Sequence, residues 1–97
     1  FPHVIHLVSQ IEARITEKLD ALDALKAVFP AGTLTGAPKI RAMEIIDELE
    51  ESKRGLYGGA ICTIDNNGNL DSCIVIRTAF FKQGVVAVRA GAGIVFD

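Results

Sequence analysis

The chain has 97 residues, of which 49% are hydrophobic and 23% charged, with a formal net charge of −2. That is room for one domain with a modest core. The mildly acidic balance and the lack of Trp argue against a nucleic-acid partner, and no apolar run reaches the roughly 20 residues of a membrane helix.

Residues 3–15 alternate and are rich in branched apolar side chains (Val4, Ile5, Leu7, Val8, Ile11, Ile15), which predicts a strand, although 12–18 also suits a helix. Asp20 is placed to cap a short helix over 21–29, with Asp23 in its first turn and Pro30 and Gly32 ending it. Next comes a small, hydroxyl-rich loop, Ala31-Gly32-Thr33-Leu34-Thr35-Gly36-Ala37-Pro38-Lys39. It runs straight into a second predicted helix over about 38–51, with Pro38 in its first turn. Such a helix start, with threonine hydroxyls and the Lys39 charge beside it, suits a carboxylate or a phosphate.

Ala42, Ile45, Ile46 and Leu49 recur at helical spacing and predict one buried stripe, while Glu44, Asp47, Glu48, Glu50 and Glu51 read as a solvated face. Lys53, Arg54 and Gly55 close that helix. From there the pattern changes to strands over 59–65, 69–81 and 85–90, with a further piece at 93–96. The expected fold class is α+β: a strand, two helices, then an antiparallel strand meander. An Asn67-Gly68 turn would set Cys62 opposite Cys73, with Cβ atoms about 4.5–5.5 Å apart, longer than a relaxed disulfide. Two reduced, half-buried thiols are expected, as in a cytosolic protein. No further cysteine or histidine sits nearby at metal-ligand spacing. The abrupt beginning, Phe1-Pro2-His3 without an initiator Met, and the abrupt end suggest a piece of a longer protein.

Several blocks in order resemble the C-terminal part of the chorismate-utilising enzymes. They are His3-Val4-Ile5-His6-Leu7-Val8-Ser9, residues 30–46, Asp47-Glu48-Leu49-Glu50, Tyr57-Gly58-Gly59, Gly68-Asn69-Leu70-Asp71, Ile74-Val75-Ile76-Arg77-Thr78 and Ala90-Gly91-Ala92-Gly93-Ile94. Tyr57-Gly58-Gly59 and Asp71-Ser72-Cys73 resemble the anthranilate synthase component I branch more than the aminodeoxychorismate synthase branch. The resemblance implies that residues 1–97 are a partial chorismate-binding domain, a fragment of a larger α/β sandwich. It implies a lyase of tryptophan biosynthesis. Ammonia from a glutamine amidotransferase subunit replaces the 4-hydroxyl of chorismate by attack at C2, and pyruvate is then eliminated.

Carried over by motif, Arg77 and Tyr57 would hold the enolpyruvyl carboxylate. Thr33 and the backbone amides around Gly91 and Gly93 would hold the ring carboxylate. His6 would sit near the departing hydroxyl, a task suited to a side chain whose pKa lies near working pH. The family uses Mg²⁺ held by glutamates, which the resemblance places outside this chain. Aminodeoxychorismate synthase, the water-using salicylate and isochorismate synthases, and a truncated, non-catalytic binding or assembly module are the alternatives. A chain this apolar, taken alone, is expected to be inactive and to self-associate through exposed sheet edges.

Three of these residues have competing readings. Arg77 in an apolar strand calls for an anion, either a ligand or an internal salt bridge. Gly91-Ala92-Gly93 is also compatible with a simple tight turn. In the register of an Asn67-Gly68 turn, Gly58 opposes Arg77 and Tyr57 points to the other face. Tyr57 and Arg77 then share a ligand only if Gly58-Gly59 forms a bulge or Tyr57 lies beyond the strand.

Overall fold

The computed structural model describes residue 3 and residues 5–96; Phe1, Pro2, Val4 and Asp97 lie outside the described residues. Among the described residues three helices precede four strands: α1 (Ala21–Val28), α2 (Gly32–Thr35), α3 (Lys39–Leu49), β1 (Ala60–Ile64), β2 (Leu70–Ile74), β3 (Ala79–Lys82) and β4 (Val85–Val88). The α+β class holds. No helix among the described residues is long and apolar enough to cross a membrane.

Helix α1 starts as its sequence requires. The Asp20 carboxylate accepts from the Asp23 N–H at 2.9 Å, and the Asp23 carboxylate accepts from the Asp20 N–H at 3.2 Å. This reciprocal box satisfies two of the donors that a helix start leaves unpaired. The helix ends one residue before the predicted boundary, with Phe29 as its C-cap. Helix α3 begins at Lys39, so Pro38 is its N-cap and not part of its first turn. Only half of its apolar stripe is covered: Ala42 and Ile46 are half-buried, while Ile45 and Leu49 are exposed.

The strands form two separate two-stranded antiparallel sheets, β1–β2 and β3–β4, in place of one meander. Two features break the long strand predicted over 69–81. Val75 pairs with the loop before β1, and Arg77 adopts φ +53°, which ends an extended run. The β3–β4 turn has two residues, Gln83 and Gly84, both at positive φ, as the right-handed twist of a tight hairpin prefers. No strand forms at 93–96, where Ile94 and Phe96 are exposed.

Residues 5–15 also form no strand, and Ile5, Leu7, Val8 and Ile11 are at least 83% exposed. Alternation selects a strand only where a neighbour supplies backbone partners. Neither hairpin lends an edge to this segment.

The β1–β2 register differs by one residue from the expected one. Cys62 opposes Ser72, and Ile61 opposes Cys73. The two thiols therefore point to opposite faces, and both are exposed and free. The cause is Asp65. Its carboxylate accepts from the Asn67 N–H at 2.8 Å and the Asn69 N–H at 2.9 Å, and its carbonyl accepts from Gly68. These bonds enlarge the loop to three residues, with Gly68 at φ +83° as a bulge glycine.

Val75, 4% exposed, is the buried hydrophobic residue of the described chain. The accessible surface is 9248 Å² for 10.4 kDa, against about 5,400 Å² for a compact monomer of this mass. The radius of gyration is 16.2 Å, against about 12.5 Å. Hydrogen bonds and ion pairs, more than a core, hold these elements in place.

The Asn69 side chain first, then the backbone N–H groups of the loop, hold the Asp65 carboxyl below the usual aspartate range. Its support of the loop is complete above the ordinary pKa near 3.8 and is lost as the pH falls through the lowered folded value. Acidification is expected to lower the protection factors (exchange relative to the intrinsic rate at the same pH) of the Asn67 and Asn69 amides, and Asp65→Ala to do the same at neutral pH. Gly68→Ala meets no steric obstacle but should cost roughly 1–2 kcal/mol for its left-handed backbone, read from exchange at the Asp65 amide.

Candidate functional site

Where α3 ends, the chain makes its densest polar cluster. Glu50 is the C-cap. Its carboxylate accepts from Arg54 Nη2 at 2.6 Å and Nε at 3.0 Å, and from Arg89 Nη2 at 2.7 Å. Arg54 also donates through Nη1 to the Leu34 carbonyl of α2 at 2.5 Å. Arg89, one residue past β4, donates to the carbonyls of Lys53 at 2.7 Å and Ser52 at 3.2 Å. A single carboxylate thus joins α2, the loop after α3 and the end of β4.

The three side chains are 26–29% exposed, intermediate between a surface pair and a buried one. Arg54, then Arg89, holds the Glu50 carboxyl below the usual glutamate range, and Glu50 in turn raises the Arg54 pKa.

The Arg54 guanidinium lies over the Tyr57 ring, 5.8 Å from its centroid. Tyr57 sits in a turn closed by the Gly59 N–H on the Leu56 carbonyl at 3.0 Å, with Gly58 at φ +79°. Gly58 donates to the Val75 carbonyl, and the Val75 N–H donates to the Gly59 carbonyl. Two residues thus oppose one, so Gly58-Gly59 is a glycine bulge. It releases Tyr57 from the face alternation of β1 and frees its ring to lie along the 90s segment.

There Gly91 makes room for it. A Cβ added at Gly91 would lie 3.0 Å from the Tyr57 hydroxyl oxygen. Gly93 has no such neighbour within 4 Å. Beside this contact opens a cleft of about 480 Å³, lined by Lys53, Arg54, Tyr57, Phe80, Val88 and Arg89 among others.

The structure brings some of the expected site residues together. The Tyr57 hydroxyl fills the space that a side chain at Gly91 would need. Thr33 is carried on α2, whose Leu34 packs against Gly58 and accepts from Arg54. Thr33 itself is exposed. Arg77 is not inside a strand: it stands exposed on the β2–β3 connection, two residues after Val75. Its guanidinium has no salt bridge among the described residues. His6 lies in the exposed N-terminal segment, outside every helix and strand of the described residues.

The loop before α3 departs from the anion cradle its composition suggests. The Thr35 hydroxyl donates to the Ala31 carbonyl at 3.2 Å. Lys39 donates to the carbonyls of Val28 at 3.1 Å and Pro30 at 2.6 Å. Its charge therefore neutralises the carbonyl end of α1. Among the described residues no group of three or more His, Cys, Asp or Glu side chains is placed to hold a metal ion. Glu44 and Glu48 pair with Arg41 on the surface of α3.

Arg89 and Glu50 are functional candidates that sequence pattern alone does not single out. Glu50 lay hidden in an acidic run, although its spacing of four residues to Arg54 was a usable signal.

A family model described as chorismate binding enzyme matches residues 1–97. Over all 97 residues the chain is 58% identical to the anthranilate synthase component 1 of Pseudomonas aeruginosa, 59% to that of Acetivibrio thermocellus and 54% to that of Bacillus subtilis. It covers 20%, 20% and 19% of these proteins, so it spans about a fifth of the length of the curated relatives it matches.

Gly91→Ala is expected to push the Tyr57 hydroxyl or the 90s backbone by a few tenths of an ångström, because the new methyl would sit 3.0 Å from the oxygen. Tyr57 is the one tyrosine, so its ring resonances are unambiguous. They should move in Gly91→Ala and stay in place in Gly93→Ala.

Proposed function

The chain belongs to the chorismate binding enzyme family, and from this we infer that it is a segment of an anthranilate synthase component 1. The protein that carries it converts chorismate and ammonia, supplied from glutamine by an amidotransferase partner in the cytoplasm, to anthranilate and pyruvate. What supports this reading above all is identity of more than half, sustained over all 97 residues, to proteins bearing that name.

The segment's task is recognition of two carboxylates. Arg77, exposed and without a carboxylate partner among the described residues, keeps its planar donor fork for the enolpyruvyl carboxylate. Tyr57, released by the glycine bulge, adds its hydroxyl. The Thr33 hydroxyl and the amides around Gly91 and Gly93 receive the ring carboxylate, and backbone without side chains admits such an anion closely. His6 supports departure of the hydroxyl.

The reaction in this family calls for Mg²⁺. Glutamates outside this segment would hold it; among the described residues no group of three or more His, Cys, Asp or Glu side chains is placed to do so. Taken alone, the segment offers part of a substrate cradle and no turnover. Its uncovered apolar side chains favour association of the isolated chain with itself.

Ammonia-dependent conversion of chorismate to a fluorescent aromatic amine should be seen with the protein that carries this segment and not with the 97-residue chain. Aminodeoxychorismate as the product would move the assignment to the sister branch. Arg77→Ala in that protein should raise KM for chorismate by about 10–100-fold, the loss of a bidentate, charge-assisted contact of about 1.5–3 kcal/mol. Light scattering on the isolated chain should report a mass above that of a monomer.

A further inference from the structure

We propose that Glu50 is the positioning residue for Tyr57: one carboxylate, bound to Arg54 on one side and Arg89 on the other, sets how the tyrosine hydroxyl meets the backbone at Gly91. That this corner receives a substrate carboxylate rests on the function proposed above. The positioning itself rests on geometry alone.

Arg54 is held at both ends of its fork. Nε and Nη2 face Glu50, and Nη1 reaches the Leu34 carbonyl. A guanidinium fixed at these points has a fixed position and plane, and its central carbon lies over the Tyr57 ring, 5.8 Å from the centroid. The second guanidinium on the same carboxylate belongs to Arg89, two residues before Gly91. Glu50 therefore anchors both the residue that orients the ring and the segment against which the hydroxyl rests. The glycine bulge at Gly58 leaves the ring's direction otherwise undetermined by the strand ladder. Removing the carboxylate leaves two guanidiniums facing each other, which drives both anchors outward.

Tyr57 is the one tyrosine and the chain has no Trp, so intrinsic fluorescence of the 97-residue chain, with parent and variants compared only where light scattering gives them the same mass, reads this side chain alone. The expected result is lower tyrosine anisotropy in both E50Q and R54K, with an unchanged far-UV circular dichroism spectrum. E48Q is the control, because Glu48 pairs with Arg41 on the far surface of α3, and it should match the parent. In the synthase that carries the segment, E50Q should raise KM for chorismate about tenfold with kcat within about twofold, the signature of lost binding geometry.

Unchanged anisotropy in both E50Q and R54K overturns the proposal. Should E50Q lose helical signal, R54K decides, since it keeps the charge and removes the planar fork: lowered anisotropy supports the proposal and unchanged anisotropy overturns it. A parent synthase with no saturable dependence on chorismate would refute the functional reading, while the anisotropy still judges the positioning.

Discussion

A carboxylate between two guanidiniums holds the middle of this chain together. Exposed ion pairs contribute little on average, about 0–1 kcal/mol. The Glu50 arrangement differs because the leftover guanidinium donors also find backbone acceptors, at Leu34, Ser52 and Lys53. Each of those carbonyls lies in a segment without regular strand pairing. The cluster thus ties together short helix, loop and hairpin end, which share little apolar contact. In a chain with Val75 as its buried hydrophobic residue, such polar ties define where the elements sit.

Two glycine bulges then decide what the β1–β2 hairpin can present. At the loop end, Gly68 and the Asp65 carboxylate turn the chain in three residues. At the open end, Gly58 and Gly59 share one partner, Val75. Both place a glycine at φ near +80°, a conformation that costs an L-residue roughly 1–2 kcal/mol. The first bulge sets the register. The second takes Tyr57 out of it and hands its orientation to Arg54. A regular strand would have locked the ring to one face of a two-stranded sheet, with no route to Gly91.

How much of this was legible depended on whether the deciding interaction was local. Helix α1 was legible to within one residue because its start depends on Asp20 and Asp23, three positions apart. The bulge at Gly58-Gly59 was legible as a condition, since a strict alternation would have parted Tyr57 from Arg77. The hairpin register was not. Asn67-Gly68 signals a two-residue turn, and only the Asp65 carboxylate, reaching back over the loop, makes it three. Nor was the role of Lys39, whose charge beside a helix start suggested an anion and instead meets the carbonyls of α1. Residues 5–15 carried a true alternation without a strand, because pairing is a property of two segments. Of the candidate site, Tyr57 and Gly91 are legible as motif residues, and the Tyr57 hydroxyl fills the space in front of Gly91. Glu50 and Arg89 are not so legible, since their partnership spans 39 positions.

The low burial of the chain bears on how the corner around Tyr57 acquires its rigidity. A receptor for a carboxylate gains strength when water is excluded, because the same charges interact more strongly at lower effective dielectric. Here the guanidiniums of Arg54 and Arg89 are about a quarter exposed and line an open cleft. Ile5, Leu7, Val8 and Phe96, nearly fully exposed, are the kind of surface that excludes water once covered. Such side chains carry no hydrogen-bonding groups, so covering them need not alter a single hydrogen bond of the Glu50 cluster. Polar ties and apolar cover thus have separate tasks: the first fix geometry among the described residues, and the second lowers the effective dielectric wherever it excludes water. A polar cluster built this way keeps its shape before it gains its strength.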